Sequence, residues 1–204
     1  MLHRLRESGE YAIGALLTTV NDAAHRVAMH AVRVELLDAQ ARAAGVPLWT
    51  VPIPPSCPNE LYEQRLGEPV RRAVAEGFTH VAFGDLFLED VRQYRESRLA
   101  GSGLTPVFPL WAQPTDALVR DMIAGGLRAT ITCVDPRVLD RTYAGQDYTA
   151  DLLELLPRSV DPCGERGEFH TFAHAGPMFI SPIPIVNGET VERDGFVFAD
   201  LLPL

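Results

Sequence analysis

The chain has 204 residues, a formal net charge of −9, and 47% hydrophobic and 22% charged residues. This composition is typical of a globular protein with one large or two small domains and a sizeable core. The acidic balance argues against a nucleic-acid partner, because such binding depends on a basic face that neutralises phosphates. No apolar run approaches the length of a membrane span, and the first residues lack the apolar stretch of a signal peptide. We therefore expect a cytoplasmic protein with no membrane partner.

The basic residues and the cysteines exclude further classes. All eighteen basic residues are arginine, so the chain has no Walker lysine, Schiff-base lysine or lysine general base. The three cysteines are far apart and odd in number, which argues against a disulfide framework.

The hydrophobic pattern up to residue 135 alternates between strand and helix. The predicted strands cover 11–19, 48–53, 79–84, 107–110 and 127–134. The predicted helices cover 2–8, 25–44, 59–76, 90–99 and 115–124. Such alternation predicts a parallel sheet with helices on its faces. We expect the first three strands to be parallel members of one sheet, because helices connect them.

The pattern changes after Asp135. A helix over 150–156 precedes a polar loop, and strands over 169–172 and 196–201 follow among several prolines. This predicts a smaller α+β domain. We place the boundary so that the two domains cover 1–103 and 104–204.

Three predicted strand ends carry polar residues, that of the fifth strand with Thr132, Cys133 and Asp135. Thr18 and Thr19 close the first strand, and Gly84 and Asp85 close the third. Ligands bind beyond the carboxyl ends of parallel strands, which makes these residues candidates. Thr18 and Thr19 are also ordinary β-branched strand residues. Asp85 could hold ribose hydroxyls or magnesium, or could cap the following helix.

The helix over 90–99 is densely charged. Arg92 and Glu96 are spaced for an i,i+4 ion pair, and Asp90 lies on the same helix. A salt-bridged face exposed to solvent explains these charges. The alternative is an arginine cluster that binds phosphates or a carboxylate, for which the planar guanidinium is suited.

The stretch 161–171 reads D-P-C-G-E-R-G-E-F-H-T and is the most polar part of the chain. A polar loop that leads into a strand is a common position for a functional site, and an acidic surface turn is the alternative. Cys163 with His170 as its base could form a nucleophilic pair. A structural zinc site normally needs four ligands, and no second cysteine–histidine pair accompanies these two, so we assign no metal site.

Three blocks of the chain resemble the diphthine–ammonia ligase-like group of the N-type ATP pyrophosphatase (PP-loop) superfamily. The first reads T-H-V-A-F-G-D-L-F-L-E-D-V-R-Q-Y-R-E, and the second combines P-V-F-P-L-W with G-L-R-A-T-I-T-C-V-D. The third, G-E-R-G-E-F-H-T, is similar to the family signature G-E-x-G-E-(Y/F)-x-T and is the most specific. The blocks themselves lie between Thr79 and Thr171, and the resemblance as a whole extends over residues 11 to about 179.

The resemblance implies an adenine nucleotide α-hydrolase-like (HUP, Rossmann-like) domain over 1–103 and a substrate domain over 104–204. It implies that ATP and Mg²⁺ activate a carboxylate, which ammonia then attacks. The implied catalytic residues are Glu165, Glu168 and Asp85. The implied nucleotide-binding residues are Thr18, Thr19, His30, Gly84 and Asp85. The implied substrate-binding residues are Asp90, Arg92, Glu96, Trp111, Cys163, Gly164, His170 and Thr171. We expect Gly84, Asp85 and the loop over 164–171 to face one cleft.

The sequence departs from the family pattern at its beginning. The family carries an S-G-G-x-D-S loop whose backbone N–H groups cradle the pyrophosphate, and this loop does not occur in the 204 residues. We expect the natural start to lie upstream, and the 204-residue chain to be inactive as it stands. The alternative is a noncatalytic adenine-nucleotide-binding module. The acid substrate is unidentified, and a homodimer is compatible with the sequence.

Overall fold

A computed structural model describes all 204 residues as a mixed α/β protein with parallel and antiparallel strand pairs. The helices are α1 (Leu2–Ser8), α2 (Val34–Ala44), α3 (Asn59–Ala75), α4 (Glu89–Leu99), α5 (Thr115–Ala124) and α6 (Ala150–Leu155). The strands are β1 (Leu16–Asn21), β2 (Arg26–Val27), β3 (Leu48–Ile53), β4 (His80–Ala82), β5 (Thr105–Val107), β6 (Arg128–Val134), β7 (Phe169–Ala175), β8 (Ile185–Arg193) and β9 (Phe196–Pro203).

The chain forms two compact units. Unit 1 consists of Met1–Ala23 and Val46–Gln113, and unit 2 consists of Ala24–Gly45 and Pro114–Leu204. These units differ from the predicted ranges 1–103 and 104–204. The segment that carries α2 belongs to unit 2 because its apolar side chains, such as Leu36, pack with Phe172 and Leu201 in one buried cluster.

Unit 1 contains two separate parallel strand pairs. β1 pairs with β3, and β4 pairs with β5. The prediction of parallel pairing is confirmed for β1 and β3, but the prediction that β4 joins the same sheet is wrong. Aromatic rings connect the two pairs: Trp49 of β3 contacts Phe78, which precedes β4, with ring centres 5.4 Å apart.

The first strand begins later than predicted. Tyr11 and Gly14 precede β1. Tyr11 contacts His80 of β4, and Gly14 lies against Phe78, which precedes β4. The Tyr11 ring lies edge-on to His80, with ring centres 5.1 Å apart. Gly14 is required here, because a Cβ at this position would lie 2.5 Å from the Phe78 ring.

The predicted helix over 25–44 is wrong in its first nine residues, because α2 begins at Val34. A tight β-turn-like segment replaces them: Val27 N–H donates to the Val32 carbonyl, and Val34 N–H donates to the His25 carbonyl. His25, Met29 and Ala31 all have positive φ, which is incompatible with a continuous helix. The helical spacing of apolar residues here reflects burial of Val27 and Val32 rather than a helix.

Unit 2 is built on an antiparallel sheet with strand order β7-β6-β9-β8. The prediction that residues 127–134 form a fifth parallel strand is therefore wrong. β6 is buried from Ala129 to Val134 because both of its faces are covered. Ile131 packs with residues of α5 and α6, such as Val119 and Leu152, in one cluster. α2 supplies Leu36 to the second cluster, which contains Phe172 of β7.

No helix in the structure combines the length and the apolar character needed to cross a bilayer.

Candidate functional site

The loop over 161–168 in unit 2 is organised around the carboxylate of Asp161, which is 6% exposed. Its Oδ1 accepts hydrogen bonds from the backbone N–H groups of Cys163 and Glu165, at 2.9 and 3.4 Å. Its Oδ2 accepts a hydrogen bond of 2.8 Å from the hydroxyl of Thr115, the first residue of α5. Asp161 therefore holds the loop to the start of that helix.

Glu168 closes the other end of the same loop and is 4% exposed. Its Oε1 accepts from the Asp161 backbone N–H and its Oε2 from the Arg166 backbone N–H, both at 2.9 Å. The Arg166 guanidinium lies 3.7 Å from Oε1. With both oxygens occupied by the loop, Glu168 has the contacts of a scaffolding residue. Its predicted catalytic role stays a prediction.

Gly164 is required by the geometry of the loop. It has φ +69°, and a Cβ here would lie 2.7 Å from the Phe169 carbonyl oxygen. Gly167 also has a positive φ, +83°, but a Cβ there would meet nothing within 4 Å. The backbone of the G-E-x-G-E stretch is therefore a compact turn in which the first glycine allows close packing on Phe169.

Cys163 has the environment of a structural thiol. Its Sγ contacts the Thr115 carbonyl oxygen at 3.6 Å. Burial, together with the negative charges of Asp161, Glu165 and Asp116, raises the pKa of this thiol to about 12. A nucleophilic cysteine requires a lowered pKa, so the proposed pairing with His170 as a base has no support in this geometry.

His170 instead contacts His30. The two ring centres are 4.4 Å apart with an interplanar angle of 37°. Burial lowers the pKa of His30 to about 4; the neighbouring His170 lowers it as well, and a hydrogen bond to the Thr171 backbone partly opposes both. Burial also lowers the pKa of His170. Both imidazoles are therefore neutral at pH 7.

Two further predicted residues, Thr171 and Glu165, lie close to His170 in the sequence. Thr171 is half-buried in β7 and pairs with Ile131 of β6. Glu165 is half-buried and, unlike Glu168, lies at the middle of the loop. The structure thus brings Cys163, Gly164, Glu165, Glu168, His170, Thr171 and His30 into unit 2.

In unit 1, Gly84 and Asp85 follow the carboxyl end of β4. Asp85 does not cap α4, whose N-cap residue is Leu88. Its carboxylate binds the fork of Arg95, with Nε–Oδ2 and Nη2–Oδ1 distances of 2.6 and 3.1 Å. Gly84 is not required by φ, and the nearest atom to a Cβ would be Met1 Cβ at 4.0 Å. Neither the backbone conformation nor packing within the chain explains this glycine, and its predicted contact with a nucleotide stays a prediction.

Arg92 lies among aromatic rings near the same strand ends. Its Cζ is 4.7 Å from the centre of the Trp111 ring and 5.0 Å from that of Phe108, which follows β5. Its Nε donates to Glu96 Oε1 at 2.8 Å. The predicted ion pair is confirmed, and it uses only one edge of the guanidinium. The two terminal nitrogens make no hydrogen bond within the protein.

Three other predicted residues have simpler surroundings. Thr18 and Thr19 lie within β1, opposite Thr50 and Val51 of β3, and the strand ends two residues later at Asn21. The prediction that they close the strand is wrong by those two residues. Asp90 is exposed in the first turn of α4, where its negative charge interacts favourably with the positive end of the helix dipole.

Several contact residues of these sites were not among the sequence candidates. Asp161 and Thr115 organise the loop, and Arg95 and Phe108 complete the Asp85–Arg92 neighbourhood. Asp161 could have been found from its position before the first glycine of the motif, since acidic side chains often accept backbone N–H groups in turns. Thr115 is 46 residues distant in sequence, and no local pattern signals that contact.

The side chains do not form an all-protein metal cage. No group of three or more histidine, cysteine, aspartate or glutamate side chains is placed to hold a metal ion. Mg²⁺ needs fewer protein ligands when substrate phosphates supply the others.

Comparison with known proteins places a family match over much of unit 2. Residues 114–199 match the family described as Diphthamide synthase C-terminal domain. The chain is 34% identical over 101 residues to the diphthine–ammonia ligase of Mus musculus, and the aligned region covers 47% of this chain and 38% of that protein. It is 32% identical over 95 residues to the Schizosaccharomyces pombe diphthine–ammonia ligase, covering 45% of this chain and 16% of that protein. The chain thus spans about two fifths or less of the length of each relative.

Proposed function

We propose that this chain belongs to an ATP-dependent ligase of the diphthine–ammonia ligase type, which activates a carboxylate and joins it to nitrogen. The observation that carries the proposal is the loop over 161–168. It lies inside the segment that matches the Diphthamide synthase C-terminal domain, and it is held by hydrogen bonds to two flanking carboxylates and by the close packing of Gly164 on Phe169. A turn so tightly specified by its own side chains is a rigid support for residues that contact a substrate.

Unit 1 is proposed as the nucleotide-binding part, with an adenine nucleotide α-hydrolase-like fold. Support comes from its two parallel strand pairs and from the polar residues at their carboxyl ends. Gly84 is proposed to allow a close approach of the nucleotide beside β4. Thr18 and Thr19 remain proposed contacts of the nucleotide, and Mg²⁺ would bind with the triphosphate.

Arg92 is proposed as the group that binds a phosphate or the substrate carboxylate. Glu96 fixes its Nε, and the Trp111 and Phe108 rings restrict the guanidinium plane. The two terminal nitrogens then present parallel N–H donors, which match the geometry of a carboxylate or phosphate. Asp85 is proposed to act with this arginine, held in place by Arg95.

The proposed chemistry requires a second set of residues for the acyl group. Glu165 is proposed to contact the substrate, since it lies at the middle of the loop and is only half-buried. Asp161 and Glu168 hold the backbone around it. The identity of the acid, and ammonia as the nucleophile, are part of the proposal.

The test measures AMP and pyrophosphate formed from ATP, Mg²⁺, ammonium and a small-molecule extract that supplies carboxylic acids. Two polypeptides are compared: the 204 residues alone and the longest polypeptide encoded in frame with them. We expect equimolar AMP and pyrophosphate from the longer polypeptide, and little turnover from the 204 residues, which lack the S-G-G-x-D-S sequence. ADP and phosphate as products would contradict the proposal. AMP binding without turnover by the longer polypeptide would favour a noncatalytic nucleotide-binding module.

A further inference from the structure

The contact between His30 and His170 joins two distant parts of unit 2 and is not explained by the scaffold of the loop. His30 lies in the turn before α2, and His170 lies in β7 two residues after Glu168. Their ring centres are 4.4 Å apart. Neither side chain is fully buried.

The turn that presents His30 is held in a strained conformation. Its two neighbours in the chain, Met29 and Ala31, have φ of 63° and 53° although neither is glycine. Arg26 stabilises the turn by donating to the Ala31 carbonyl at 2.7 Å and to Asp200 at 2.8 Å. Left-handed residues of this kind cost free energy and often occur where a side chain must take one defined position.

The electrostatic surroundings keep both rings uncharged. His30 forms a hydrogen bond with the Thr171 backbone, and the titratable group that acts on it is His170. On β6, the residue in register with His170 is Cys133, whose thiol pKa burial raises to about 12. Cys133 is therefore neutral, and two unprotonated imidazoles face each other in the site.

Amide formation requires an acceptor of this type. A nitrogen nucleophile that attacks an acyl carbon must lose a proton, and a neutral imidazole is the side chain that most often takes such a proton. We propose that His170, oriented by His30, accepts the proton released by the nitrogen nucleophile. This role rests on the function proposed above.

The step is balanced as follows. The nitrogen lone pair forms the new C–N bond, and the bond from the acyl carbon to the AMP oxygen breaks, with AMP leaving with the electron pair. One N–H proton passes to the free ring nitrogen of His170, which becomes an imidazolium and later releases the proton to water. His30 does not take this proton: it is a positioning residue, because its ring packs against that of His170 with centres 4.4 Å apart and is itself held by a hydrogen bond with the Thr171 backbone.

The experiment uses the longest in-frame polypeptide with ATP, Mg²⁺, ¹⁵N-labelled ammonium and the small-molecule extract. It measures the single-turnover burst of pyrophosphate and the formation of ¹⁵N-labelled amide separately. For His170→Gln we expect a burst within twofold of the unmodified protein and amide formation slower by about 100-fold or more. The matched control is His174→Gln, because His174 is a half-buried histidine on the same strand whose pKa burial also lowers. It should change neither rate by more than twofold.

A second measurement separates a positioning role from a packing role for His30. The His170 ring is titrated by ¹H–¹⁵N NMR in the unmodified protein and in His30→Gln. Removal of the His30 ring opens His170 to water, so its pKa should rise towards the ordinary value. The acidic limb of the amide-forming rate should move by the same amount. A titration that moves while the rate profile does not would overturn the role.

The outcomes distinguish this inference from the proposed function. Normal amide formation by His170→Gln in an active protein would overturn the role of His170 alone. Loss of the pyrophosphate burst in that variant, with an unchanged melting temperature, would place the pair in the first step and also overturn it. No pyrophosphate from the unmodified protein would overturn the proposed function and this role together.

Discussion

Glu168 accepts a hydrogen bond of 2.9 Å from the backbone N–H of Asp161, seven residues earlier, and this contact closes the loop of unit 2. Asp161 in turn accepts from two backbone N–H groups inside the loop and from Thr115 outside it. The two buried carboxylates therefore replace water for most of the polar groups of the loop. This arrangement explains how an acidic stretch can be ordered.

The first prediction concerns Glu168→Gln. The new amide keeps one acceptor but directs an N–H₂ group at a backbone N–H donor. We expect the free energy of unfolding to fall by about 1–3 kcal/mol, measured by urea denaturation. Glu154→Gln is the matched control and should change it by less than about 1 kcal/mol, since this side chain is 66% exposed in its ion pair with Arg120. Equal effects of the two changes would contradict the scaffolding role of Glu168.

The second prediction compares the two glycines of the motif. Gly164→Ala places a Cβ 2.7 Å from the Phe169 carbonyl oxygen and also imposes a positive φ on alanine. Gly167→Ala imposes only the second cost, which is about 1–2 kcal/mol. Gly164→Ala should therefore be more destabilising than Gly167→Ala in thermal unfolding. The reverse order would contradict the close packing of Gly164 on Phe169.

The third prediction concerns Asp200, which binds Arg33 and Arg26 at 2.6 and 2.8 Å. Burial alone would raise the pKa of this carboxyl, but hydrogen bonds from Arg33 and Arg26 and their charges lower it to about 2. A lowered native pKa gives stability that is present above the unfolded pKa of about 3.9 and is lost as pH falls towards 2. Asp200→Asn should cost about 1–3 kcal/mol at pH 7 and much less near pH 2.

Asp194→Asn provides the control for that measurement, because Asp194 is exposed between β8 and β9 and asparagine tolerates its positive φ. Its free energy of unfolding should differ little from that of the unmodified protein, and this difference should be nearly the same at pH 7 and pH 2. A pH-independent effect of Asp200→Asn would show that the two arginines do not depend on its charge.

Comparison of sequence and structure shows which features were local. The helices from α3 to α6 and the strand β3 follow from spacing and from glycine or proline boundaries, and they lie within about two residues of prediction. The prediction that β6 is a parallel strand was wrong because a strand covered on both faces is mostly buried whether its neighbours are parallel or antiparallel. The start of α2 depends on the Arg26 and Arg33 contacts with Asp200, and no sequence pattern shows contacts over such separations.

The candidate residues were predictable as types but not as contacts. The motif G-E-R-G-E-F-H-T identified the loop, yet it did not show that Glu168 is buried in its own turn. Arg92 and Glu96 were predictable as an i,i+4 pair. The aromatic rings that flank Arg92 come from after β5, and the resemblance alone suggested Trp111.

The fourth prediction concerns Arg92→Lys. Lysine keeps the charge but loses the planar fork and the contact with the Trp111 and Phe108 rings. If the guanidinium of Arg92 binds phosphate, calorimetry with ATP and Mg²⁺ should show an affinity for ATP that is weaker by about tenfold. If it binds the acid, the affinity for ATP should persist, and turnover should fall by about tenfold. Arg98→Lys, which alters a half-exposed arginine on the same helix paired with Glu63, should change neither quantity. Unchanged affinity and turnover in Arg92→Lys would remove Arg92 from the site.

The central claim is that a carboxylate, not water, attacks ATP. It is tested most directly by running the reaction of the longest in-frame polypeptide in H₂¹⁸O and weighing both products by mass spectrometry, which does not require the acid to be known. Attack by an unlabelled carboxylate transfers its own oxygen to phosphorus, so we expect AMP and pyrophosphate without ¹⁸O. Incorporation of ¹⁸O into either product would show hydrolysis of ATP and would contradict the proposed ligase.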